Sequence, residues 1–176
     1  ININLQSGSA LTLNQIAVLS MLNSIAKDNW DRPIYYAVTV GSDMYMNLYP
    51  HFVKVGLAYQ ILPVDNTTDN IFVDTEKMYD NMMNKFEWGG IDNPDVYLDE
   101  TCRNMIYIMR AAFIDLAENL IAEEKYDKAL KVLDKMMEKI PSTALANDYY
   151  SLPAAAAYYE LGEIENVMLN IEGVTS

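Results

Sequence analysis

The sequence predicts an α+β protein: a small α/β unit of about three strands over residues 1–70, then tetratricopeptide-like antiparallel helical hairpins over residues 71–176. Three observations carry this reading. Two runs dominated by β-branched, aromatic and other apolar residues, Ile34–Val40 and Val55–Val64, fall in the first 65 residues. From Thr75 onward the apolar positions recur at three-and-four spacing instead. The charge changes with the pattern: residues 1–65 hold four acids and three bases, net −1, whereas residues 66–176 hold 21 acids and nine bases, net −12. The polar break Val64–Asn70 lies where the two regimes meet.

Each element has its own signal. Residues 1–5 (ININL) alternate with the two-residue period of a half-exposed strand, and SGS then turns the chain. Thr12 is placed to cap a helix that runs to Lys27. On its wheel Thr12, Ser20, Asn23, Ser24 and Lys27 share one sector, while Leu11, Val18, Leu19, Leu22, Ile25 and Ala26 crowd the rest, so burial over most of the circumference is expected. Pro33 bars helix through Asn29–Gly41 and biases Arg32 toward extended geometry. Ile34–Val40 then reads as a strand buried on both faces. Asp43–His51 reads as one or two helical turns, and Val55–Val64 as another strand.

The second half is helical. A helix over Thr75–Phe86 is stopped by Trp88, Gly89 and Gly90, and IDNPD forms a loop before a long helix from about Leu98 to Glu123. That helix carries the stripe Met105, Ile106, Met109, Ala112, Phe113, Leu116, Ala117, Leu120. A second, Lys125–Lys139, presents Tyr126, Ala129, Leu130, Leu133, Met136 and Met137 and ends at Pro141. From Phe113 the offsets to Leu116, Ala117, Leu120, Ala129 and Pro141 are 3, 4, 7, 16 and 28, which follow the tetratricopeptide pattern. A partial second copy, Ala154, Ala155 and Tyr158 with Leu161 and Gly162, is displaced by 38 residues instead of 34 and requires a longer loop around Ser142–Asp148.

Composition narrows the function. With 176 residues and 51% apolar content, the chain buries roughly 70% of its unfolded surface, enough for one core or two small ones. Its charge of −13 excludes a phosphate-binding nucleic-acid surface and docking on anionic lipid through a basic patch. One cysteine, Cys102, forms no internal disulfide and no zinc-site spacing is present. No run of about 18 apolar residues occurs, and residues 1–30 lack the basic start and apolar core of a secretory signal, so the chain as given is expected to be soluble. It opens on Ile1 in strand-like sequence, as expected of a piece of something longer.

Taken in order, WDRPIYYAVTV, GLAYQILPV, YDNMMNKFEWGGIDNPDVYLDE and the helical pairs resemble the C-terminal soluble part of a family of large multi-span membrane proteins of Bacteroidetes, themselves similar to GT-C protein O-mannosyltransferases of the transmembrane-protein-260-like group. The resemblance spans nearly the whole chain, and its most specific parts are the Trp30–Tyr35 block and the Asp80–Glu100 block. It implies a non-catalytic domain on the periplasmic side of the inner membrane, behind a membrane-embedded module of the same parent that would hold the sugar donor and the catalytic carboxylates. Such relatives continue with more helical repeat, so the last hairpin is expected to be truncated. The alternative is a freestanding tetratricopeptide-type adaptor. An independent hydrolase or transferase would need convergent carboxylates in a polar pocket.

Single residues fit supporting roles. The one histidine, His51, shows no second ligand type close to it in the sequence and reads as a satisfied or surface residue. Asp92, Asp95, Asp99 and Glu100 lack the EF-hand spacing and read as loop caps and first-turn acids. Cys102 reads as a buried packing residue whose thiol is opposed by Asp99 and Glu100. Asn66-Thr67-Thr68 is a glycosylation acceptor by pattern only. No catalytic residue, metal site or cofactor is assigned. The thirteen tyrosines are the best binding candidates, because each joins an apolar ring to a polar tip. Tyr45, Tyr49, Tyr149 and Tyr150 are the candidate binding residues for an acceptor protein or glycan, whereas of the pair Tyr158 and Tyr159 one is expected to face the core at helical spacing. Trp30, Arg32 and Pro33 are expected to form a structural junction, with Arg32 paired to Asp28, Asp31 or a carboxylate of the helical half.

Overall fold

The computed structural model describes residues 11–63 and 71–171. The expected strand at 1–5, the SGS turn, the polar break, the glycosylation pattern and the chain end lie outside the described residues. The chain divides into two compact units, Ile1–Asp74 and Thr75–Ser176.

The first unit begins with helix α1, Leu13–Lys27. Thr12 caps it through a reciprocal pair: Gln15 N–H donates to the Thr12 hydroxyl at 3.3 Å, and Thr12 N–H donates to Gln15 Oε1 at 3.0 Å. The helix ends in a Schellman motif, in which Trp30 N–H reaches Ile25 O and Asn29 N–H reaches Ala26 O. Asn29 adopts φ 54 and Trp30 φ 62. The expectation of burial around most of α1 is not met. Only Leu22 and Ile25 are buried, while Leu13, Ile16 and Met21 stand exposed, because the helix lays one narrow stripe on a small sheet.

Among the described residues that sheet has four strands, β1 (Tyr35–Ala37), β2 (Phe52–Lys54), β3 (Ala58–Ile61) and β4 (Phe72–Val73), in the order β1-β3-β2-β4. β3 pairs antiparallel with both β1 and β2, and β4 runs parallel to β2. Two corrections follow. Among the described residues β1 lies at the sheet edge and Tyr35 and Ala37 are exposed, so it is not a strand covered on both faces, since an apolar run does not reveal its position in a sheet. The run Val55–Val64 is not one strand: Val55–Leu57, with Gly56 at φ 133, turns the chain, and β2 lies before it. The short helical turns expected over Asp43–His51 are two 3-10 turns, Ser42–Met44 and Tyr49–His51.

The core of this unit is aromatic. Leu22, Met46, Leu48, Phe52 and Ile61 are buried together, and Trp30, Ile34, Tyr36, Tyr45 and Tyr59 pack against them. Phe52 stacks on Tyr59 at 5.4 Å with planes 6° apart, and Tyr45 meets Phe52 edge-on at 5.0 Å. Phe52 is fully buried, a gain of about 1.5–3 kcal/mol from its side chain alone.

The second unit holds α2 (Thr75–Asp80) continued by a π-helical turn (Asn81–Lys85), α3 (Glu100–Ala122), α4 (Tyr126–Lys139), α5 (Leu152–Glu160) and α6 (Ile164–Ile171). The pairs α3/α4 and α5/α6 are helical hairpins. Asp99 caps α3 by accepting from Cys102 N–H at 2.7 Å. Both α3 and α5 end in Schellman motifs. Lys125 N–H bonds Leu120 O and Glu124 N–H bonds Ile121 O, while Glu163 N–H bonds Tyr158 O and Gly162 N–H bonds Tyr159 O. The left-handed position is Glu124 (φ 60) in the first case and Gly162 (φ 81) in the second.

Of the predicted α3 stripe Ile106, Ala112, Phe113, Leu116, Ala117 and Leu120 are buried and Met109 is half-buried, and α3 packs on α4, where Ala129, Leu133 and Met136 are buried. Met105 and Tyr126 are exposed, each lying at the outer end of its stripe. Trp88 stacks on Phe113 at 4.9 Å and meets Phe86 edge-on at 5.9 Å. Cys102 is exposed, which corrects its expected burial: the first turn of α3 precedes the part that packs on α4.

Candidate functional site

A groove of about 920 Å³ lies within the second unit, between α3 and the start of α5. Helical spacing builds its floor: Ile108, Ala111 and Ile114 come from one side of α3, and Leu152, Pro153 and Ala156 face them from α5. Pro153 sits in the first turn of α5, where its missing N–H costs nothing. Tyr149 and Tyr150 stand on the 3-10 turn Tyr149–Ser151 that leads into α5, both strongly exposed.

Polar contacts fix this rim. Asp148 caps the 3-10 turn, accepting from Tyr150 N–H at 2.9 Å through Oδ1, and its Oδ2 accepts the Tyr107 hydroxyl at 2.6 Å. Arg110, only 3% exposed, donates Nη2 to Leu145 O at 2.7 Å and Nη1 to Ala146 O at 3.3 Å. The guanidinium therefore ties the 145–148 loop to α3 across more than thirty residues of sequence. Its pKa is lowered by burial, which the nearby Asp148 opposes. The Tyr107 phenol is pushed up by its bond to Asp148 and by burial, so it holds its proton more firmly. Tyr150 meets Tyr107 edge-on at 5.7 Å and Tyr149 at 6.1 Å, forming an aromatic ridge at one end of the groove.

The far end is acidic. Asp115 and Glu118 line it, and the Glu118 carboxyl is raised by burial and by the neighbouring charges of Asp115 and Glu160. α3 and α5 run the same way, with Tyr107 beside Tyr150 at one end and Glu118 beside Glu160 at the other.

The candidate residues from the sequence separate. Tyr149 and Tyr150 lie together on the groove, whereas Tyr45 is packed in the aromatic core of the first unit and Tyr49, half exposed, touches Phe52 there. Tyr158 is fully buried and bonds Asp134 at 3.3 Å, while Tyr159 is exposed. Trp30 packs on the first core, and Arg32, exposed, pairs with Asp28 at 2.5 Å and reaches Ser24 at 3.3 Å. His51 is buried in its 3-10 turn. Asp92 pairs with Lys139 at 3.4 Å and Asp99 caps α3. Among the described residues no three His, Cys, Asp or Glu side chains converge as a metal site, and no helix is long and apolar enough to cross a membrane. Sequence reasoning missed Arg110, Tyr107 and Asp148; the pattern Asp148-x-x-Ser151, a capping box, was the available signal for the last.

Residues 1–82 match the family model described as TMEM260-associated domain 2. The match makes this segment similar to a TMEM260-associated domain and covers the first unit with α2, including the Trp30–Tyr35 block. The groove lies outside the TMEM260-matched segment. No curated protein and no solved structure matches the chain.

Proposed function

We propose that this chain is a non-catalytic, extramembrane domain of a TMEM260-like membrane protein of GT-C glycosyltransferase type. On this reading it faces the periplasm, its α/β unit docks on the membrane module of the same parent, and the α3/α5 groove holds acceptor protein or a partner. The observation that carries the proposal is the groove itself: an apolar floor, an exposed tyrosine ridge, and polar side chains bonded to one another. Arg110, Tyr107 and Asp148 are occupied in shaping the rim, which fits a binding surface better than a reaction centre.

The test is a photo-crosslinking amino acid at Tyr150 in the full-length parent in its own membrane. Adducts with proteins that carry sugar attached by that parent are expected. Sugar transfer or hydrolysis by the isolated chain would overturn the non-catalytic reading, and a parent without hydrophobic spans would favour the freestanding adaptor.

A further inference from the structure

We propose that the occupant of the α3/α5 groove is an extended peptide segment with an apolar or aromatic side chain at one end and a lysine or arginine about five residues away. This rests on the partner-holding role assigned above and names the chemistry of that partner.

The groove has two unlike ends. Tyr107, Tyr149 and Tyr150 form the first, offering ring faces and edges suited to an apolar or aromatic side chain. Asp115 and Glu118 line the second, Glu160 lies near, and α5 terminates at Glu160, so the negative end of its dipole adds to the same region. The carboxylates of Glu118 and Glu160 and a helix C-terminus select a cation. The Glu118 carboxyl, raised first by burial and then by the charges of Asp115 and Glu160, would be stabilised in its ionised form by one.

Length and volume choose the conformation. Tyr107 and Glu118 are separated by about 16 Å along the α3 axis at 1.5 Å per residue. A helical ligand of that length, about 10 Å wide, needs roughly 1,300 Å³. A single extended strand needs only about 780 Å³ at the usual spacings between strands and between sheets. The groove holds about 920 Å³, close to what a single strand fills, whereas a helix would seat only part of its cross-section in it. At about 3.3 Å per residue, 16 Å corresponds to five residues.

The experiment is selection of a phage-displayed random nonapeptide library on the purified full chain, with Glu118→Lys and the double variant Tyr149→Ala/Tyr150→Ala as counter-targets. Both sites are exposed, so these changes spare the fold, which circular dichroism verifies. Enrichment of peptides with Lys or Arg four to six residues from Phe, Tyr, Leu or Met is expected. Their affinity should fall about tenfold or more on E118K and drop steeply with salt.

Peptides enriched without regard to charge, or bound equally well by E118K, would overturn the charge assignment while leaving a partner-holding groove intact. Enrichment only of helical amphipaths would overturn the extended geometry. No enrichment at all would overturn the inference, and the Tyr150 crosslink in the parent then decides separately whether the groove holds any partner.

Discussion

Replacing Arg110 by methionine tests whether the rim of the groove is held by that one side chain. Methionine keeps most of the aliphatic stem and removes the fork. The bond from Nη2 to Leu145 O, 2.7 Å long and buried, is the kind of charged hydrogen bond that contributes about 1.5–3 kcal/mol. The 3.3 Å bond to Ala146 O adds less, and the two carbonyls lose their described partner, at about 1 kcal/mol or more if water does not reach them. Against this stands the relief of no longer burying a guanidinium, a cost that the depressed Arg110 pKa already registers. The net expectation is about 2–3 kcal/mol of destabilisation, or about 10–20 °C in Tm for a unit of roughly 100 residues. Trp88, buried and stacked on Phe113, reports this unit by fluorescence if Trp30 is replaced by Phe. Guanidinium titration of R110M and R110K then gives the number. Lysine should rescue little, since it lacks the planar fork that reaches two carbonyls. A loss below about 0.5 kcal/mol in R110M, or full rescue by lysine, would refute the assignment of the loop to this tie.

Other features give sharp expectations. Phe113→Ala removes a fully buried ring with a stacked partner and should cost about 4 kcal/mol, with a red shift of Trp88 emission; calorimetry and fluorescence check both. Glu76 is held at about 2 by hydrogen bonds from Lys125 and Lys128. Its folded value lies below its unfolded value, so its small contribution is complete above the ordinary carboxylate range and fades as pH falls toward 2; a carbon-13 NMR midpoint in the ordinary range would contradict it. Glu124→Gly relieves a left-handed backbone at φ 60 and should stabilise by about 0.5–1 kcal/mol, read as a raised denaturation midpoint. Cys102 is exposed, yet its thiol is raised chiefly by its hydrogen bond with Asp99, so iodoacetamide should react slowly; Asp99→Asn, which retains a capping side chain, should speed it.

What the sequence made legible follows the range of the interactions involved. Helix α1 could be bounded to the residue at its start because Thr12 and Gln15 lie three apart and satisfy each other locally. The α3 and α4 stripes were readable because a repeat of three and four is itself the packing geometry. The sheet was harder. Strands of two to four residues carry too little periodicity, and the composition of Tyr35–Ala37 is the same whether the strand is central or at an edge. Gly56 broke an apparently continuous run because its backbone, and not its hydropathy, makes the turn. At the groove, Tyr149 and Tyr150 stood out by composition. Arg110 did not, since its partners are carbonyls of Leu145 and Ala146, whose identity no side chain announces.

The polar residues of the groove argue for recognition over reaction because of where their protons and charges are already spent. A tyrosine with a raised pKa, bonded to an aspartate that also caps a turn, is a poor proton donor at neutral pH, and an arginine forked onto two carbonyls has fewer N–H groups left for a substrate. The same bonds hold the tyrosine ridge in place before any ligand arrives. A rim ordered in advance loses little entropy on binding, which would favour retention of the short peptide proposed above. Loosening the rim should therefore weaken binding even with the tyrosine ridge and the acidic end left intact. R110M, selected against the same peptides at a temperature where it remains folded, should lose affinity chiefly through faster dissociation; unchanged dissociation would separate the tie from the site it frames.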